Sequence, residues 1–220
     1  MLPIELRPER PADYRMVEEL TRDAFWNLHA PGCDEHFLAH VLRDSPDFVP
    51  ELDYVAVHNG QVVGSIMYTR AKIVPDRGGE KEVLCFGPLA VAPALQGQGV
   101  GRQLIEHTKA LARELGYDAI LIFGHPEYYS RLGFVPAEQY GIGTSWGVYS
   151  ISLQAFELQP GALSDCAGYF EESASLAVDD VEAAAFDAGF QPKEKLFGLP
   201  SQEHFQWIIA QTKPRRPAGQ

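Results

Sequence analysis

A glycine-rich segment, Gln96-Gly97-Gln98-Gly99-Val100-Gly101, separates a run of apolar residues from a stretch whose apolar side chains have helical spacing. The first amides of a helix have no partner inside the helix, and the helix dipole places partial positive charge there. Glycine lets the backbone approach a ligand closely and adopt positive φ where a turn requires it. The segment is therefore predicted to bind a phosphate or pyrophosphate through main-chain amides, at about 1.5–3 kcal/mol per hydrogen bond.

Two common phosphate-binding motifs do not fit this segment. The dinucleotide fingerprint requires a third glycine where Arg102 stands, and the mononucleotide P-loop requires Gly-Lys followed by Ser or Thr. A tight strand-to-helix turn without a ligand is the alternative interpretation of the alternating glycines. A second motif is needed to choose between the two.

That second motif, Tyr129-Ser130-Arg131-Leu132-Gly133-Phe134, follows the next predicted strand. With the Gln96-x-x-Gly99-x-Gly101 spacing and the upstream Leu89-Ala90-Val91-Ala92-Pro93, it makes the chain resemble the GCN5-related N-acetyltransferase (GNAT) family. The resemblance covers roughly residues 3–158. The stretch from Gly124 to Tyr129 is similar to a bacterial subgroup of predicted N-acetyltransferases.

The resemblance implies a GNAT fold of the α/β (α+β) class, with a mixed central sheet, splayed fourth and fifth strands and helices on both faces. Acetyl-CoA is the implied co-substrate and would lie where those two strands separate. The implied cofactor-binding residues comprise strand residues for the pantetheine arm and turn residues for the pyrophosphate: Leu89, Ala90, Val91, Gln96, Gly97, Gln98, Gly99, Val100, Gly101 and Arg102.

Tyr129 is the catalytic residue that the resemblance implies, as the general acid that protonates the departing thiolate. A phenol with a pKa of about 10 stays protonated at neutral pH and can donate to a thiolate. A core aromatic on a short helix is the alternative interpretation, and Tyr128 is the adjacent competitor, about 100° round the helix. In the family the amine attacks the thioester directly, so no enzyme nucleophile is required, and no metal site is predicted.

The general base that would deprotonate the amine is left open between several residues. The candidates are carboxylates at the start of the fourth strand, polar residues near the second helix and a histidine after the fifth strand: Glu80, Glu82, Asp34, Glu35, His36 and His125. The sequence favours none of them, and it does not specify the acceptor.

The elements before the glycine-rich segment follow from apolar periodicity. Ile4–Arg7 is predicted to be a strand, and two helices follow it. Asn59-Gly60 predicts a hairpin, because both positions tolerate the positive φ of a two-residue turn. Val83–Val91 is predicted to be the fourth strand, interrupted at Gly87-Pro88 because proline cannot donate to a ladder.

The elements after the segment complete a parallel β-α-β unit. A helix leads to a buried strand at Ala119–Phe123, and Pro126 suits the first turn of a short helix carrying the two tyrosines. Val148–Leu158 is predicted to be one late strand. Beyond it, apolar spacing predicts one helix around Val181 and another behind Ser201.

Composition and charge exclude several classes of protein. A chain of 220 residues with 45% apolar residues can bury the core of one domain and a small appendage. The net charge of −12, from 18 basic and 30 acidic residues, argues against nucleic acid or an anionic membrane as the partner.

The same sequence suggests a cytoplasmic protein. No apolar stretch approaches the ~20 residues of a membrane span, and residues 1–8 lack the pattern of a signal peptide. Cys33, Cys85 and Cys166 are widely separated and are expected to be buried reduced thiols.

The domain organisation expected is an N-acetyltransferase domain at 1–160, a C-terminal extension at 161–212 packed on or beside it, and a disordered tail at 213–220. Three roles are open for the extension: covering the acceptor cleft, pairing with a second subunit in a homodimer, or padding the sheet. The expected function is acetyl-CoA-dependent N-acetyltransfer, directly to a primary amine of a small molecule or protein. The alternative is a non-catalytic acyl-CoA-binding or interaction module on the same scaffold.

Overall fold

The computed structural model describes residues 2–215. In chain order, with short 3-10 turns between them, their strands and helices are β1 (Glu5–Pro8), α1 (Tyr14–Phe25), α2 (Glu35–Leu42), β2 (Tyr54–His58), β3 (Gln61–Pro75), β4 (Lys81–Val91), α3 (Val100–Glu114), β5 (Ala119–Phe123), α4 (Pro126–Ser130), β6 (Val135–Pro136), β7 (Ile142–Thr144), β8 (Val148–Ser150), β9 (Leu153–Glu157), β10 (Gly168–Glu171), α5 (Asp180–Asp187), α6 (Pro200–Ala210) and β11 (Thr212–Pro214).

The described chain divides into two compact units, each assembled from three segments. Unit 1 contains residues 2–68, 87–108 and 174–205. Unit 2 contains residues 69–86, 109–173 and 206–215. The predicted extension at 161–212 therefore contributes residues to both units.

In unit 1, β1 and β2 pair antiparallel, and β2 continues into β3 through the predicted hairpin. Asn59 and Gly60 have φ values of 51° and 77°, which confirms the turn. Helix α2 packs on β3 through Ala39 and Leu42, which contact Met67. The spacing of apolar residues predicted both N-terminal helices because this buried face repeats with the helical period.

Helix α3 begins in unit 1 and approaches β3 closely. A Cβ atom at Gly64 would lie 3.0 Å from Val100 and 3.2 Å from Leu104, so a larger residue would push the helix away. The buried hydroxyl groups of Tyr68 and Thr108 are 2.8 Å apart and hold the next turn of the helix. The strand therefore fixes the start of α3 and the glycine-rich turn before it.

In unit 2, β4 pairs parallel with β5, and β5 pairs antiparallel with β9. Strand β10 pairs antiparallel with β3 and parallel with β7. The predicted mixed sheet is thus confirmed. In the described part of the chain the ladder between β4 and β5 joins Leu84 and Ile120, and this short ladder agrees with strands that separate beyond it.

Two expectations about the C-terminal third need correction. The single late strand at 148–158 is two strands, β8 and β9, because the chain turns at Ile151 and Ser152. Thr212–Pro214 pairs with β8, and Arg215 forms an ion pair with Asp76, so residues 213–215 are ordered where a disordered tail was expected. Residues 216–220 of that tail lie outside the described residues.

The described residues of the extension supply a helix to unit 1. Asp179 caps α5 by accepting hydrogen bonds from the amides of Val181 and Glu182. At the other end of the helix, Asp187 forms an ion pair of 2.6 Å with the buried Arg22 of α1. Among residues 2–215, no helix combines the length and the apolar character needed to cross a bilayer.

Candidate active site

The glycine-rich turn lies in unit 1, between a 3-10 turn at Pro93–Leu95 and α3. Gly97 and Gly99 have φ values of 73° and 86°, which L residues other than glycine rarely adopt. A Cβ atom built at either glycine would meet no atom of the described residues within 4 Å, so the backbone conformation, not lack of space, requires glycine here.

The amides of this turn are available to a ligand. Within residues 2–215, the amides of Gly97, Gly99, Val100, Gly101 and Arg102 donate no hydrogen bond to the protein. The first α-helical bond is donated by the next amide, that of Gln103, to the Gly99 carbonyl oxygen at 3.0 Å. Donors at the positive end of a helix dipole fit a pyrophosphate group.

The amides of the other two predicted turn residues already have acceptors in the protein. The amides of Gln96 and Gln98 each donate a long hydrogen bond of 3.4 Å inside the turn. Their side chains donate to the carbonyl oxygens of Val91 and Ala94, each at 3.1 Å. These bonds hold the turn against the end of β4 and keep its shape.

The predicted strand residues form the last part of β4 in unit 1. Ala90 is buried, while Leu89 and Val91 are half-buried. The amide of Ala92 donates to the Val63 carbonyl oxygen at 2.9 Å, which ties the end of β4 to β3. The Gly87–Pro88 peptide bond is cis, and β4 continues through it as one strand.

Tyr129 lies in unit 2 on the short helix α4, which begins at Pro126 as predicted. Its half-buried ring packs on the rings of Phe86 and Phe134, with centroid distances of 5.9 and 5.5 Å. Tyr128 meets the same ring edge-on at 4.9 Å and is itself 39% exposed. Partial desolvation raises the pKa of Tyr128, so this phenol is protonated at neutral pH.

Unit 2 contains three of the base candidates, of which two lie at the start of β4 and the third directly precedes α4. Glu80 forms an ion pair of 2.8 Å with Lys72, which neutralises its charge. Glu82 is exposed on the strand. His125 is the N-cap residue of α4, although its side chain makes no capping hydrogen bond.

The base candidates of unit 1 lie around the start of α2. Asp34 is exposed, and desolvation together with the neighbouring Glu35 raises the pKa of its carboxyl group. Glu35 faces His29 at 3.5 Å. His36 is fully buried, and burial lowers its pKa.

The structure also brings together a cysteine, a histidine and a carboxylate. Cys33 Sγ lies 3.6 Å from His36 Nδ1, and His36 Nε2 lies 3.1 Å from Asp187 Oδ1. Burial raises the pKa of Cys33 to about 12, so the thiol stays protonated. Because the thiolate is the nucleophile, this group is unsuited to covalent catalysis. Of the three cysteines, all free, Cys85 and Cys166 are buried as expected and Cys33 is half-buried.

Known proteins resemble this chain in sequence. The profile of the acetyltransferase (GNAT) domain matches residues 51–136. An uncharacterized N-acetyltransferase of Escherichia coli K12, YhbS, is 30% identical over 167 residues, which cover 76% of this chain and 94% of that protein. A second uncharacterized N-acetyltransferase of the same organism, YjhQ, is 37% identical over 99 residues. These residues cover 45% of this chain and 54% of YjhQ.

Solved structures agree with these relatives. E. coli YhbS in complex with CoA superposes with a TM-score of 0.70 at 28% identity, covering 80% of this chain and 92% of that one. A GNAT acetyltransferase from Brucella melitensis in complex with acetyl-CoA superposes with a TM-score of 0.62 at 27% identity. The match covers 80% of this chain and 100% of that one. The fold and these relatives define an acyltransferase. The chain belongs to the GCN5-related N-acetyltransferase family.

Proposed function

We propose that the protein transfers the acetyl group of acetyl-CoA directly to a primary amine of a small molecule or protein. The observation that carries this proposal is the set of amides in the glycine-rich turn and at the start of α3 that have no acceptor within residues 2–215. Two structural neighbours that share its fold at more than 25% identity were crystallised with CoA or acetyl-CoA.

Under this proposal the ten residues named from the family motif divide into two groups. The turn from Gln96 to Arg102 holds the pyrophosphate through the helix dipole and its unpaired main-chain amides, while Gln96 and Gln98 keep the shape of the turn. The backbone of Leu89, Ala90 and Val91 holds the pantetheine arm and polarises the thioester carbonyl. An amide aimed at a developing oxyanion contributes about 3–4 kcal/mol in comparable acyl transfers.

Tyr129 then acts at the leaving sulfur. Acetyl-CoA supplies an activated thioester, which a neutral amine can attack without an enzyme nucleophile. The Tyr129 hydroxyl donates its proton to the sulfur as the carbon–sulfur bond breaks, and proton donation of this kind contributes about 10²–10⁴-fold to a rate.

The test is release of CoA thiol, followed with a thiol-reactive dye, from acetyl-CoA and a panel of amines. The panel contains putrescine, 2-phenylethylamine, kanamycin and a lysine-containing peptide, and mass spectrometry identifies the acetylated product. Thiol release that depends on an amine supports the proposal. If the protein binds CoA by calorimetry but no amine releases thiol, it is a non-catalytic acyl-CoA-binding module. Absence of CoA binding would mean that the turn has no ligand.

A further inference from the structure

A carboxylate from the predicted extension reaches the middle of β4 in unit 2. Glu172 follows directly after β10, the strand that pairs with β3. Its Oε1 atom lies 4.0 Å from the Sγ atom of Cys85, whose side chain is buried. Glu172 as a whole residue is exposed, although its carboxyl group is partly desolvated where it contacts the strand.

Glu172 and Tyr129 meet β4 at consecutive residues. Tyr129 packs on the ring of Phe86, and Glu172 contacts Cys85. Successive side chains of a strand point to opposite faces of the sheet. The carboxylate and the phenol therefore lie on opposite faces of β4, at the same position along the strand.

The carboxylate of Glu172 has no cationic partner among residues 2–215, whereas the neighbouring Glu171 has one. Glu171 lies 3.4 Å from Lys72, which also pairs with Glu80. The Cys85 thiol beside Glu172 is neutral, because burial raises its pKa well above the usual value. Partial desolvation of the carboxyl group beside Cys85 raises the pKa of Glu172 as well, which makes this carboxylate a stronger base than a fully solvated one.

We propose that Glu172 is the general base that takes the proton from the attacking amine. This inference rests on the proposed function and names a residue that lies beyond the part of the chain covered by the family motifs. A primary alkyl amine is protonated at neutral pH, with a pKa of about 10, and must lose a proton before it can attack.

Glu172 first takes a proton from the ammonium form of the amine and passes it to water. The free amine nitrogen then forms a bond to the thioester carbonyl carbon, and the excess proton on that nitrogen passes to the Glu172 carboxylate. The carbon–sulfur bond breaks with its electron pair going to sulfur, and the Tyr129 hydroxyl protonates that sulfur. Water returns the protonated Glu172 and the deprotonated Tyr129 to their starting states, and the net products from the protonated amine and acetyl-CoA are the N-acetylated amine, CoA and one proton.

The experiment compares Glu172→Gln with the wild-type protein and with Glu171→Gln as a matched control. The probe is the panel amine that the wild-type protein acetylates fastest. We expect Glu172→Gln to lower kcat/KM for that amine by about 10²–10⁴-fold near neutral pH. The deficit should shrink as pH rises toward the pKa of the amine, because the free amine then needs no base. Affinity for CoA should not change, and Glu172→Asp should recover part of the rate.

Four results would overturn the proposal. If Glu172→Gln keeps the wild-type kcat/KM and pH profile while the wild-type protein turns over, Glu172 is not the base and the proposed function still holds. If Glu172→Gln loses affinity for CoA, or if Glu171→Gln loses as much activity, the residue has a structural role. If the wild-type protein itself acetylates no amine, the proposed function fails and this inference fails with it.

Discussion

Gly124 lies against the ring of Tyr129 so closely that no other residue fits. A Cβ atom at Gly124 would lie 2.2 Å from Cε2 and 2.7 Å from Cδ2 of Tyr129. The backbone of Gly124 does not have a positive φ, so contact with the ring, not the turn conformation, requires glycine here. The residue that follows β5 therefore fixes where the phenol of α4 can lie.

Gly124→Ala is expected to displace the Tyr129 ring and to lower kcat. A displacement of about 1 Å of a catalytic group can cost on the order of 10²-fold in rate. Steady-state kinetics measure the loss, and calorimetry with CoA checks that binding is retained. If Gly124 acts through Tyr129, Gly124→Ala should lower the rate no further in a Tyr129→Phe background. Additive losses would show that the glycine has a separate role.

Tyr129→Phe is expected to lower kcat with little change in affinity for acetyl-CoA, because the ring packing survives and only the proton donor is lost. The expected loss is about 10²–10⁴-fold. Tyr128→Phe is the matched comparison, since this exposed neighbour carries the same group. Unchanged turnover in Tyr129→Phe together with a loss in Tyr128→Phe would assign the acid to Tyr128.

Gly99→Ala is expected to weaken CoA binding, because alanine at a φ of 86° would distort the turn and reorient its amides. Losing one hydrogen bond to a charged group would raise Kd by about tenfold or more. Gly60→Ala is the control, since Gly60 also has a positive φ with open space around it, in the hairpin.

Calorimetry measures the effect of these glycine substitutions on CoA affinity, and urea denaturation measures their effect on stability. Both variants should lose about 1–2 kcal/mol of unfolding free energy from the left-handed conformation. Equal CoA affinity in Gly99→Ala and wild type would contradict a role for the turn in binding.

Asp53→Asn is expected to flatten the dependence of stability on pH. Asp53 is buried in unit 1, and within residues 2–215 its Oδ1 atom has no hydrogen-bond partner. Arg43 makes two hydrogen bonds to the nearby Glu9, at 2.8 and 2.9 Å. Burial, reinforced by the charge of Glu9, raises the pKa of Asp53 well above its usual value of 3.8.

The direction of this pH dependence follows from which state, folded or unfolded, holds the proton on Asp53. Above the unfolded pKa of 3.8, the folded protein keeps a proton on Asp53 that the unfolded chain has released. Unfolding free energy therefore falls as pH rises through this range, by about 1.4 kcal/mol per pH unit for a full proton, until the folded-state pKa is passed. Urea denaturation from about pH 5 to 8 should show a shallower slope for Asp53→Asn. The exposed Asp44→Asn should keep the wild-type slope, and a wild-type slope in Asp53→Asn would refute the assignment.

The sequence by itself determined the hairpin at Asn59-Gly60, the glycine-rich turn and the Tyr129 helix after Pro126. Each depends on backbone preferences that act over a few residues: positive φ, a missing Cβ atom, or a proline at the first turn of a helix. Apolar periodicity likewise predicted the central strands and helices, because it reports which face of each element is buried.

Only the tertiary structure decided which side chains meet across those buried faces. The sequence makes His36 a candidate base, but in the structure α5 covers its side chain. The ring centroids of His36 and Phe186 of α5 are 5.6 Å apart. Glu172 became a candidate because β10 joins β3, which brings it to Cys85 across a sequence separation of 87 residues. Periodicity identifies a buried face but not its partner, since the partner depends on how distant segments pack together.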